Sequence, residues 1–164
     1  MHLQSSRDMR KGILIVDDDP EARRQLCKLL TANGYAVIEA DNGRVACDLL
    51  AERTVHLVVT DIFMPECDGF ELLAAIRDMA QPVPVIAMSD HESWTGLGFL
   101  DAANDLGAAA VIEKPFRATA LLRLIGESLP AFPDSQVIPI TGWIEPERRA
   151  VPAGLEWVGS RPLR

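Results

Sequence analysis

Leu57-Val58-Val59-Thr60-Asp61-Ile62-Phe63-Met64-Pro65 is the stretch on which the reading of this chain turns. A short apolar run breaks off at a carboxylate, and the proline four residues later forbids further strand. Bounded in this way, the run predicts a buried strand in a parallel sheet. Asp61 then stands at the strand's carboxyl end, where open α/β sheets place their ligands. Helix-favouring sequence resumes from Asp68-Gly69-Phe70.

Working outward, the same alternation recurs. Upstream, Gly12-Ile13-Leu14-Ile15-Val16 is a continuous apolar run, hence a fully buried first strand, and it ends in Asp17-Asp18-Asp19-Pro20. Asp19 suits an N-cap and Pro20 a first helical position. Leu26, Leu29 and Leu30 give the following helix one apolar face, and Asn33-Gly34 stops it. Residues 35–40 predict a second strand. Asp41 or Asn42 caps a helix over 44–53, with Val45, Leu49 and Leu50 expected inward.

Downstream of Asp61 a helix is expected over about 69–80. A fourth strand is expected over 82–88, ending at Ser89, its prolines tolerated at the start of the ladder. Residues 90–98 are polar and glycine-bearing and have no clear assignment. A helix over about 99–106 stops at Gly107, and a fifth strand over 108–113 ends at Lys114-Pro115-Phe116. The last helix, 118–129, directs Leu121, Leu122, Leu124, Ile125 and Leu129 mostly toward the sheet. Five uninterrupted strand–helix alternations predict an α/β fold, a doubly wound parallel sheet with helices on both faces.

The 164 residues suffice for one domain with a substantial core plus extensions: a flexible leader, 1–10, the domain, 11–129, and a tail, 130–164, without an output domain. The tail holds six of the eleven prolines and two of the three tryptophans; 136–144 alone in it resembles a strand. The net charge of −8 belongs to the domain, because the leader sums to +1 and the tail to zero. No basic patch points to nucleic acid, and no apolar run is long enough for a membrane span. Cys27, Cys47 and Cys67 lack metal-ligand spacing and read as free thiols in a reducing cytoplasm.

In a parallel sheet the carboxyl ends of all strands share one edge. Asp17, Asp18, Asp61, Ser89 and Lys114 therefore converge there. Clustered carboxylates repel unless a cation joins them, and an all-oxygen set suits Mg²⁺. Asp61 could serve as a nucleophile that forms an aspartyl phosphate, with Lys114 and the Ser89 hydroxyl taking the remaining phosphoryl oxygens. Singly, each residue has a plainer reading: Asp17–Asp19 as a helix cap, Ser89 as a turn residue, Lys114-Pro115 as a strand exit. Their joint occurrence, in order and each at a strand end, favours the phosphoacceptor.

Four segments carry a resemblance to the receiver domain of two-component response regulators, a CheY-like fold: 13–20, 59–65 with Asp68-Gly69, 85–89 and 114–116. The resemblance covers about 11–129. It implies a flavodoxin-like sheet of order 2-1-3-4-5 and phosphorylation of Asp61 by a histidine kinase or phosphotransfer protein. It further implies Mg²⁺ on Asp17, Asp18, Asp61 and the Phe63 backbone carbonyl, phosphoryl contacts from Ser89 and Lys114, and a cis Lys114–Pro115 peptide. The output is then protein–protein interaction with a downstream protein, and the chain is not an enzyme.

Two positions and one stretch depart from that family's pattern. Val111 stands where receivers carry an aromatic switch residue, three before the lysine. Asp90 follows the hydroxyl residue where a small side chain is usual, and the stretch from Ser89 to Lys114, with Trp94, Gly96 and Gly98, is longer than usual. Output is therefore expected through an altered fourth-helix region or the tail. Phe63 cannot orient hydrolytic water, which implies slow dephosphorylation. Two other readings stay open: a receiver-like module that binds partners without phosphorylation, and a haloacid-dehalogenase-type phosphatase with Asp17 as nucleophile, which lacks its late acidic pair.

Overall fold

The computed structural model describes residues 11–90, 99–129 and 156–157. The expected leader, almost all of the tail with its strand-like 136–144, and the 91–98 loop lie outside the described residues.

Five strands, β1 (Gly12–Val16), β2 (Ala36–Ala40), β3 (Leu57–Asp61), β4 (Val85–Asp90) and β5 (Ala110–Lys114), form one sheet of order β2-β1-β3-β4-β5, every pair parallel. The helices between and after them are α1 (Pro20–Ala32), α2 (Gly43–Glu52), α3 (Gly69–Arg77), α4 (Phe99–Asp105) and α5 (Ala118–Ser128). Every residue of β1 and β3 is buried, as continuous apolar runs between two helical layers require. On one face Ile13, Ile15, Leu57, Val59, Ile86 and Met88 pack with Leu26 and Leu30 of α1 and Leu121 and Ile125 of α5. On the other, Leu14, Val16, Val58, Val85 and Ala87 pack with Ala46 of α2, Leu72, Leu73 and Ile76 of α3, and Ala103 of α4.

The helix starts follow the local chemistry. The Asp19 carboxylate accepts from the Glu21 and Ala22 amides with Pro20 behind it, and Asn42 caps α2 through the Val45 amide. Asp68 and Glu71 form a reciprocal capping box at α3. Gly34 and Gly107 take positive φ (86° and 91°) just beyond α1 and α4, as residues that end a helix must.

Several expectations shift. Pro82 and Pro84 lie outside the fourth strand, which begins at Val85: proline has no N–H for the ladder, although the Pro84 carbonyl still accepts from the Val58 amide (2.9 Å). The strand instead runs on through Ser89 to Asp90, and β5 runs through Lys114. α3 stops at Arg77 with Asp78 as its C-cap. Val45 is exposed, not inward; α2 buries Gly43 and Ala46, and Leu49 and Leu50 are half-buried. A further two-residue strand, β6 (Phe116–Arg117), pairs antiparallel with β7 (Glu156–Trp157), which no alternation in the sequence announces.

Candidate functional site

Asp17 and Asp61 end adjacent strands, and Lys114 ends β5 two strands away. The Lys114 ammonium spans the gap, 3.0 Å from Asp17 Oδ2 and 3.4 Å from Asp61 Oδ1, with all three side chains at most 7% exposed. Backbone amides hold the two carboxylates as well, at the second oxygen of Asp17 and at the same Oδ1 of Asp61 that faces Lys114. Asp17 Oδ1 accepts from the Asp19 amide (2.9 Å), and Asp61 Oδ1 from the Ile62 amide (2.9 Å). The peptide between Lys114 and Pro115 is cis, as the resemblance implied.

Burial and charge oppose each other here. Desolvation raises the Asp61 carboxyl to about 7, outweighing the pull of Lys114, while Asp17 and Asp90 push in the same direction as burial. Desolvation also raises Asp17, against Lys114. For Lys114, burial acts to lower the pKa, but the facing Asp61 and Asp17 charges prevail and hold it raised. Burial thus holds the two acids back from ionising, while Lys114 stays charged beside them.

Exposed Asp18 completes the acid group. One carboxylate oxygen from each of Asp17, Asp18 and Asp61 lies within 4.8 Å of the others, close enough for a single ion to touch all three. Hard oxygen donors with one exposed member, leaving room for water, fit Mg²⁺. Ser89 is buried, and its Oγ has no hydrogen-bond partner among the described residues. Leaving a buried hydroxyl unpaired costs about 1–3 kcal/mol, so an acceptor brought to Ser89 Oγ would be favoured there. Phe63 follows two residues after Asp61 and is 39% exposed. Val111 is half-buried in mid-β5, in register with Ala87 and packed on the α2–α3–α4 side.

The sequence reading missed three features. Arg23 in α1 donates to the Asp17 carbonyl (2.7 Å); only its position, six residues after Asp17, hinted at it. Glu66, in the loop after the acceptor, has φ 71°, with the Cys67 amide bonded to the Pro65 carbonyl (2.9 Å). Gly69 lies directly under the acceptor, where a Cβ would come 2.5 Å from the Asp61 carbonyl oxygen. Cys67 packs on Gly43 and burial raises its thiol pKa, in keeping with a packing role.

The sequence profile of the response regulator receiver domain matches residues 13–126. The chain is a response regulator receiver. It is 36% identical over 110 residues to the response regulator MprA of Mycolicibacterium vanbaalenii, covering 67% of this chain and 46% of MprA. Over 129 residues it is 34% identical to an uncharacterized 14.6 kDa protein of Leptolyngbya boryana, covering 74% of this chain and 92% of that one. The chain thus spans about half the length of MprA. Among solved structures, FixJ-N superposes with a TM-score of 0.66 at 30% identity, covering 74% of this chain and 98% of FixJ-N. The chemotaxis protein CheY4 of Vibrio cholerae gives 0.67 at 26% identity, covering 73% and 99%. The fold is therefore the CheY-like, flavodoxin-like one in the expected strand order. Receivers of two-component systems interact with kinases or downstream effectors. Among the described residues no helix is long and apolar enough to cross a membrane.

Proposed function

We propose that this receiver accepts a phosphoryl group on Asp61 and signals by protein–protein interaction. The observation that carries the reading is the buried Lys114 ammonium shared between Asp17 and Asp61. A cation kept charged there by two carboxylates is placed to offset charge on a third anionic group that joins them. An Asp61 carboxylate oxygen bonds to phosphorus as the donor's P–N or P–O bond breaks, and the electron pair leaves with the donor. Oδ1 stays anchored to the Ile62 amide, which leaves Oδ2 as the attacking atom. Lys114 and the Ser89 hydroxyl then bond the transferred oxygens.

Asp17, Asp18, Asp61 and the Phe63 carbonyl are the residues proposed to hold Mg²⁺. When bound, that ion supplies positive charge to the acids and the phosphoryl oxygens. The donor is a histidine kinase or phosphotransfer protein, and the receptor of the signal is a downstream protein. The chain acts as a phosphoacceptor and not as an enzyme on separate substrates. Three free cysteines support a reducing, cytoplasmic setting.

Intact mass after incubation with acetyl phosphate and Mg²⁺, on wild type and Asp61→Asn, tests the proposal. One added phosphoryl group on wild type alone supports it. No addition on either protein favours a phosphorylation-independent receiver, with Asp90 the first residue to substitute. Addition on both moves the acceptor elsewhere.

A further inference from the structure

The chain leaves β1 at Asp17, and its backbone there is only half-served by the sheet. The Asp17 amide donates to the Ala40 carbonyl (3.2 Å), the last rung of the β1–β2 ladder. The next rung of a parallel ladder would bring the Asn42 amide onto the Asp17 carbonyl. β2 has ended by then, and Asn42 has turned away to cap α2. Arg23 fills the gap: its Nη1 donates to the Asp17 carbonyl at 2.7 Å, and its Nε lies 3.5 Å from Glu39 Oε2 on β2. The Arg23 side chain is 18% exposed and that of Glu39 30%, so the guanidinium is partly shielded rather than waving in solvent.

We infer that Arg23 is the positioning residue of the acid cluster, a guanidinium fork that joins α1 to β2 and fixes the β1 exit from which Asp17 and Asp18 project. Asp17 has to present Oδ1 to the Asp19 amide and Oδ2 to Lys114 at the same time. Both bonds depend on where its backbone lies, and the Arg23 bond is what restrains the carbonyl side. A planar guanidinium can serve two acceptors at once, whereas a single ammonium on a flexible stem cannot hold the same fork.

This inference rests on the reading of Asp17, Asp18 and Asp61 as metal ligands, and its consequence has a definite sign. Arg23 is a cation near several carboxylates, so if it acted through charge alone, its removal would tighten binding of a dication. If it acts by position, its removal loosens binding, as loss of outer partners of metal ligands does, by roughly 10- to 100-fold.

The test is titration of the full chain with Mg²⁺ alone, followed by isothermal calorimetry, on wild type, Arg23→Met, Arg23→Lys and Glu39→Gln, each checked for a cooperative thermal melt. Arg23→Met is expected to weaken Mg²⁺ roughly 10- to 100-fold. Arg23→Lys, which keeps the charge but not the fork, should recover only part of that loss, and Glu39→Gln should fall between wild type and Arg23→Met. Binding by Arg23→Met as tight as wild type or tighter overturns the inference. If Arg23→Met does not fold, Arg23→Lys decides, because full wild-type affinity there leaves charge alone as the explanation. Wild type that binds no Mg²⁺ overturns the metal reading together with this one, whereas wild-type binding with unaltered variants overturns this one alone.

Discussion

Asp61→Asn should make the metal-free protein more stable, and the gain should depend on pH. The buried carboxyl is displaced from 3.8 to about 7. At about 1.4 kcal/mol per unit, those three or so units amount to about 4 kcal/mol of cost for ionising Asp61 in the folded state. The sign follows from proton binding. Between about pH 4 and 7 the folded chain keeps a proton on Asp61 that the unfolded chain has lost, so stability falls as pH rises through that window and the full loss is present above it. The asparagine that replaces it carries no such charge, and its amide oxygen can keep the bond that Asp61 Oδ1 accepts from the Ile62 amide. The new buried NH₂ must find a partner, which takes back about 1 kcal/mol. The expected net gain is about 3 kcal/mol at pH 8, shrinking to zero or below near pH 4. Urea unfolding followed by far-UV circular dichroism in EDTA, at several pH values from 4 to 8, measures it. Added Mg²⁺ should narrow the gap at pH 8 by stabilising wild type alone. A gap that does not vary with pH, or a variant less stable than wild type at pH 8, would refute the reasoning.

The other predictions concern residues around that site. Ser89→Ala should raise stability by about 1 kcal/mol, since it removes a buried hydroxyl unpaired among the described residues, while slowing phosphorylation by acetyl phosphate; chemical denaturation and a mass time course read the two effects. Gly69→Ala should cost about 1–3 kcal/mol because its Cβ would meet the Asp61 and Ile62 backbone, whereas Gly126→Ala, with open space in α5, should gain up to about 1 kcal/mol; urea midpoints distinguish them. His56 accepts from the Gly12 amide (2.9 Å) through Nδ1, and burial lowers its pKa from 6.5. Here the unfolded chain binds the extra proton, so stability is full above about pH 6.5 and falls as pH drops through the lowered folded value. In the Asp61→Asn background, the change in stability between pH 7.5 and 5.5 should be less favourable by that loss with His56 present than with His56→Asn, and equal changes in the two chains would refute it.

The sequence by itself determined the five strands, their alternation with helices and the set of residues at their ends. Strands buried on both faces must be apolar throughout, and carboxylates, a lysine and prolines punctuate such runs sharply. That is why Asp17, Asp61, Ser89 and Lys114 are legible from the chain alone. Helix faces are less legible: Val45 has the right residue type for a core position, but in a helix as short as α2 a small rotation decides which side chains turn inward. The start of β4 is easily misplaced because Pro82 and Pro84 are apolar, although neither can donate to a ladder. Only the tertiary structure decided the rest. The shared Lys114 ammonium, the pairing of Phe116–Arg117 with Glu156–Trp157 and the Arg23 bond to Asp17 join residues far apart in the chain or out of phase with its periodicity, and the burial of the Ser89 hydroxyl is likewise set by the closed fold. Periodicity records which side of an element is dry; it does not record which polar atom meets which across a sheet edge, because that depends on how the closed fold arranges its strand ends in space.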